Sequence, residues 1–139
     1  LNYSDKETAF AYPLNFKHQH MINFKRADHI HICVTPERLE EARLFYTNII
    51  GLQPTERPAV FSSAGYWFKV ADIELHVGVE ESLPRSIRHT AFEISDITTA
   101  RRHLEKHGVE IMEEPRIEGR ERFAFIDPFG NRMELLQML

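Results

Sequence analysis

The 139-residue chain has one cysteine, Cys33, only six glycines and no excess of basic charge. A single cysteine closes no internal disulfide and builds no zinc finger. Lys and Arg total 17 against 21 Asp and Glu, a net charge of −4, whereas a nucleic-acid binder is basic or carries a basic stripe. Long hydrophobic runs are missing too. The longest have four residues, such as Phe123 to Ile126, against the roughly 20 that span a bilayer. The opening residues, LNYSDKETAF, show no basic stretch followed by an apolar core, so no signal peptide is expected. These absences point to a cytoplasmic protein with no nucleic-acid and no membrane partner. A hydrophobic fraction of 42% and a charged fraction of 27% exclude wholesale disorder and suit one globular domain. What stands out is histidine, with eight copies.

Residues 1–26 hold five aromatics and no persistent period, and are expected to form an N-terminal arm. From Asp28 the pattern sharpens. In DHIHICV, Ile30, Ile32 and Val34 alternate with His29, His31 and Cys33, the mark of a strand with one buried face. Thr35-Pro36 suits a helix start, Leu39, Ala42, Phe45, Tyr46 and Ile49 recur at helical spacing, and Gly51 suits its stop. Strands are expected around Thr55–Phe61, Tyr66–Val70 and Ile73–Val79. Residues 81–86 read as a linker. The order then returns: a strand over 89–94, a helix from Asp96 to Gly108, and three strands at 109–112, 122–126 and 132–136. Asp127-Pro128-Phe129-Gly130-Asn131 supplies a strong turn.

This is an internal repeat. His29 and His89 open the first strand of each unit, and Glu74 and Glu134 sit in IEL and MEL of each last strand, both pairs 60 residues apart. The expected fold is α+β: two βαβββ modules, 27–80 and 87–139, forming one domain over 27–139. Their eight strands make a concave surface with the helices outside. Parity of the strands puts His29, Glu74, His89 and Glu134 on the polar face. Two imidazoles and two carboxylates form a nitrogen and oxygen ligand set, suited to Zn, Ni, Co, Mn or Fe(II) rather than Cu(I) or Ca. His76 shares the face of Glu74 two residues later, and is the alternative to it. His31, Trp67 and Arg122 are candidates for the substrate lining.

The stretches DHIHICVTPERLEEARLFYTNIIGL, GYWFKVADIELHVGVEE, RHTAFEISDITTARRHLEKHGVEI and FAFIDPFGNRMELLQ resemble the vicinal oxygen chelate superfamily. That superfamily includes glyoxalase I, fosfomycin-resistance thiol transferases, extradiol dioxygenases and bleomycin-binding proteins. The resemblance implies βαβββ modules paired into a metal-binding cup. It also implies first-strand ligands His29 and His89, and a last-strand ligand Glu134 in its DP-x-G-x-x-x-E setting. Cups in this superfamily are often completed between chains, so a homodimer is expected. The function implied is a metal-dependent lyase or isomerase of the glyoxalase type. Its small substrate chelates the metal through neighbouring oxygens, and Glu134 serves as both ligand and catalytic proton carrier. Two alternatives stand beside it. One is an Fe(II) dioxygenase or thiol transferase using only His29, His89 and Glu134. The other is a non-catalytic binding or resistance protein.

Overall fold

The structure is a computed structural model that describes residues 25–81 and 84–139. The expected arm lies outside them except for its last two residues, and Ser82 and Leu83 of the linker lie outside them as well.

Strand β1 runs His29–Val34. Pro36 opens a 3₁₀ turn over Pro36–Arg38, where its missing N–H costs nothing. Helix α1 follows at Leu39–Leu44 and widens into a π-helical turn over Phe45–Ile49. The widening is closed by the Ile50 N–H donating to the Phe45 carbonyl at 3.1 Å, and it buries both Phe45 and Tyr46. Strands β2 (Gln53–Thr55), β3 (Gly65–Val70) and β4 (Ile73–Val79) complete the first unit. The second unit repeats the order with β5 (His89–Glu93), α2 (Ile97–Lys106), β6 (Glu110–Glu113), β7 (Arg120–Ile126) and β8 (Arg132–Met138). Asp96 caps α2 as expected, accepting from the Thr99 N–H at 2.9 Å.

The expected α+β class and paired βαβββ units hold. The eight strands hydrogen-bond as two mixed sheets of four, ordered β1-β4-β3-β2 and β5-β8-β7-β6. One strand differs from expectation. Residues 53–55 pair with β3, and the segment to Phe61 is a loop rather than a strand. Pro58 has no N–H to give a ladder. Arg57 instead gathers the loop, donating to the Phe61 carbonyl at 3.2 Å and to Ser63 Oγ at 2.9 Å.

Ile30, Ile32, Leu75, Val77 and Phe68 from the first sheet share one core with Phe92, Phe123, Phe125, Met133 and Leu135 from the second. Both helices contribute to it through Ala42, Phe45, Tyr46, Ile97 and Leu104. Three polar contacts lock the units together. Tyr46 donates to Asp127 Oδ2 at 2.5 Å, Arg38 Nη1 to the Pro128 carbonyl at 2.6 Å, and Asn131 Nδ2 to the Cys33 carbonyl at 3.2 Å. Asp127 also accepts from the Phe129 and Asn131 N–H groups at 2.9 and 2.7 Å, and these bonds shape the turn between β7 and β8. Gly130, at φ +94°, supplies the left-handed backbone that this turn requires.

Burial raises the Asp127 carboxyl above the usual carboxylate range, against the pull of its hydrogen bonds, and holds the Tyr46 hydroxyl well above its usual range. Tyr46→Phe leaves a buried carboxylate oxygen without that donor and should destabilise the fold by about 1–3 kcal/mol in urea unfolding. A raised folded-state value means that this residue's contribution to stability is greatest in acid and declines as pH rises through that value. Asp127→Asn should remove that part of the pH dependence.

Candidate metal centre

The polar face of the first sheet is built in register: His29 pairs with Glu74, His31 with His76, and His76 with Trp67 across β4 and β3. His76 is 8% exposed and lies between two rings. Trp67 stacks on it at 3.9 Å and 4°, and His29 stacks on its other side at 4.2 Å and 14°. His31 meets His76 edge-on at 6.4 Å. Its ring crosses the backbone at Gly78, where a Cβ would fall 2.5 Å from His31 Nε2. Desolvation, followed by the charges of His76 and His29, lowers the His31 pKa. These residues line a cleft of about 570 Å³ together with Phe61 and Arg57.

Hydrogen bonding sets the imidazole tautomers. Asp28 Oδ2 lies 3.1 Å from His29 Nδ1, and the Ile87 carbonyl lies 2.8 Å from His89 Nδ1. Both oxygens only accept, so Nδ1 is the donor in each ring, and a neutral ring then has its lone pair on Nε2. A histidine that ligates metal is held in this way by its other nitrogen. His76 is different. Its Nε2 lies 3.0 Å from Glu74 Oε2, so that nitrogen donates to the carboxylate. Glu74 also accepts from Thr55 Oγ1 at 3.3 Å. Glu74 and His76 are therefore partners of each other.

On the second sheet, His89 Nε2 faces Glu134 Oε2 at 3.3 Å. For a neutral ring these are two acceptors pointing at one another, which is unfavourable without a cation between them. Ligand bonds of about 2.1 Å at a right angle place neighbouring donors roughly 3 Å apart. The pair therefore fits a shared divalent ion. Glu134 is 4% exposed and is held from beneath by Arg122, whose Nη1 donates to Oε2 at 2.8 Å. Arg122 Nε and Nη2 both donate to the Pro115 carbonyl, at 3.2 and 3.1 Å. Arg132, two residues before Glu134, pairs with Glu114.

The register separates two candidates that share a face in the sequence. His31 pairs with His76 as Ala91 pairs with Glu134, and His29 pairs with Glu74 as His89 pairs with Arg132. His76 is thus the repeat partner of Glu134, and Glu74 that of Arg132. The first strands are 60 residues apart but the paired positions of the last strands only 58, so the second unit is shorter ahead of β7, even though its last turn, Asp127–Asn131, is longer than Ala71-Asp72. The expected lining residues divide as well. His31 and Trp67 sit in the first half-site, while the Arg122 guanidinium is committed to Glu134 and Pro115. A clue to Arg122 lay in the sequence: two residues before Ala124, which pairs with Glu134, parity places it on the same face.

Both apolar faces enter one core, so each polar face is turned away from it. Among the described residues, no three His, Cys, Asp or Glu side chains of one chain converge to hold a metal ion. The chain carries two half-sites: His29 with the Glu74–His76 pair, and His89 with Glu134. A cleft of about 830 Å³ lies around the 114–119 loop and contains neither His89 nor Glu134.

The model of the Glyoxalase/Bleomycin resistance protein/Dioxygenase superfamily matches residues 26–135. The chain belongs to this superfamily. No curated protein matches it. Among solved structures, this superfamily member is similar to a glyoxalase family protein from Bacillus anthracis, at 33% identity and a TM-score of 0.77, covering 86% of this chain and 100% of that one. It shares the fold of the genomically encoded fosfomycin resistance protein FosX from Listeria monocytogenes, at 20% identity and a TM-score of 0.71, covering 84% and 96% of the two chains. A mutant of that FosX, complexed with Mn(II) and 1S,2S-dihydroxypropylphosphonic acid, gives 20% identity and a TM-score of 0.73, covering 84% and 95%. That FosX complex holds Mn(II). Among the described residues, no helix is long and apolar enough to cross a membrane.

Trp67 is the chain's single tryptophan and reports on the first half-site. Removing the stacked imidazole in His76→Ala should raise its emission and shift the maximum to longer wavelength as water enters. An unchanged steady-state spectrum would contradict the stack.

Proposed function

We propose that this chain is a divalent-metal-dependent enzyme acting on a small oxygenated molecule that presents neighbouring oxygens. Its site is assembled from the first module of one protomer and the second module of its partner. The observation that carries the proposal is that Nδ1 of His29 and Nδ1 of His89 each face an oxygen acceptor, which leaves each Nε2 as the nitrogen to offer a metal. His29, His89 and Glu134 hold the metal, with nitrogen and oxygen donors that suit Zn, Ni, Co, Mn or Fe. The Glu74–His76 pair stands at the fourth position.

The ion supplies Lewis acidity toward substrate oxygens. The chain's own residues do the rest. Arg122 fixes Glu134 through Oε2, and Oε1, which accepts no hydrogen bond from a described residue, is the atom that takes up and returns a proton. Trp67 and His31 wall the first half. In a lyase or isomerase this moves a proton between adjacent carbons. One observation favours the second enzyme reading, a thiol transferase or dioxygenase: Glu74 is already bonded to His76, which points to a three-residue set. Proton exchange into a hemithioacetal, set against thiol addition to an epoxide, separates the two.

A mixing experiment tests the shared site. Chains carrying His29→Ala and chains carrying Glu134→Ala should each bind little metal. Co-refolded in equal amounts, they should recover about a quarter of the wild-type capacity, since half the dimers then hold one intact site. No recovery from folded dimers would contradict assembly between protomers. Wild type that purifies and reconstitutes without metal, yet binds an aromatic ligand tightly, would favour the binding-protein reading. Glu134→Gln should keep part of the metal affinity and lose turnover by about 10²-fold or more, the usual worth of a positioned base. Full activity in that variant would remove the proton-carrying role.

A further inference from the structure

We infer that Arg122 is a positioning residue for Glu134, setting the carboxylate that ligates the metal, and does not anchor substrate. The inference rests on the proposed metal site and deepens it. Three arginines, Arg120, Arg122 and Arg132, occupy even positions on the polar face of the second sheet. Only Arg122 reaches Glu134. Its guanidinium is used on both sides: Nη1 on Glu134 Oε2, and Nε and Nη2 on the Pro115 carbonyl. A second carboxylate, Glu114, lies 3.8 Å from Nη2. The side chain is 16% exposed and that of Glu134 only 5%, so neither group is reoriented by solvent.

The arrangement makes a planar fork whose plane is set by a backbone carbonyl and whose free end holds one carboxylate oxygen. Fork geometry gives direction as well as charge. The oxygen held by Arg122 is the same one that faces His89 Nε2 at 3.3 Å, so the fork sets the spacing of the two ligand atoms. A buried cation beside a cation site would, on charge alone, oppose metal binding. Positioning and charge therefore predict effects of opposite sign when Arg122 is replaced.

Mn(II) alone is the probe, titrated into the full chain and followed by electron paramagnetic resonance, with thermal melts recorded in parallel. Arg122→Gln removes the charge and the fork, and is expected to weaken Mn(II) binding by 10-fold or more, on the order of what metal-supporting residues contribute. Arg122→Lys keeps the charge with a single donor. It is expected to fold and to bind a few-fold more weakly, a partial rescue. Arg120→Gln removes a charge from the same face without touching Glu134, and is expected to leave binding equal or tighter. Tighter or equal binding in Arg122→Gln overturns the inference, as does wild-type affinity in Arg122→Lys. A lowered melting temperature with unchanged affinity marks a structural role only and also overturns it. If Arg122→Gln does not fold, the Arg122→Lys titration decides alone. Wild type that binds no Mn(II) overturns the metal site itself, a result distinct from binding that ignores Arg122.

Discussion

The hydrogen bond from Tyr46 to Asp127 is the constraint on which the molecule's organisation depends. It joins the end of the first helix to the turn between β7 and β8 across 81 residues of sequence, in a buried setting. The Asp127 carboxylate both receives the tyrosine and shapes the turn through the Phe129 and Asn131 N–H groups. One side chain therefore docks the two modules and fixes the strand entry that carries Glu134. Burying an unpartnered carboxylate is costly. The docking and the turn consequently stand or fall together.

That docking consumes both apolar faces. Val34, Phe68, Leu75 and Val77 meet Phe123, Phe125 and Met133 in one core, and the polar face of each sheet is left outward. A chain folded in this way presents two incomplete sites. In the proposed dimer, pairing with a second copy combines unlike halves, and exposed apolar residues lie beside both. Phe61, 49% exposed, packs on Trp67, and Ile87, 81% exposed, is the residue whose carbonyl sets His89.

The fold was legible because strand parity and helix spacing repeat along the chain. Ile30, Ile32 and Val34 against His29, His31 and Cys33 gave the face, and His29 and His89 marked the two strand starts. The register of the last strand was not legible. A slip of two residues leaves every side chain on its expected face, so parity does not separate Glu74 from His76, and the IEL–MEL match that favours Glu74 runs two residues out of step with the ladder. The commitment of Glu74 to His76 was hidden for the same reason. The short β2 was missed because Val60 and Phe61 read as strand residues, although they belong to a loop held by Arg57. Arg122 was visible as a charge on the right face. Its fork is aimed by the Pro115 carbonyl, from a loop whose path no periodicity encodes.

The two half-sites solve one problem by different physics. In the first, the imidazole of His29 is placed by stacking on His76, which is itself held by Trp67 and by a hydrogen bond to Glu74. Stacking fixes a plane and adds no formal charge of its own. In the second, Glu134 is a nearly buried carboxylate that would be costly if left alone. Arg122 compensates it, and Arg132 pairs with the neighbouring Glu114. Arg122 meets Glu134 and Arg132 meets Glu114, so each carboxylate of the floor faces a guanidinium before any ion arrives. An incoming cation then meets a carboxylate whose desolvation and orientation were settled during folding. The duplicated module has in this way diverged into an aromatic half that presents an imidazole nitrogen and an ionic half that presents a nitrogen with an oxygen. In the proposed dimer, the union of the two supplies the nitrogen and oxygen donors for a divalent ion.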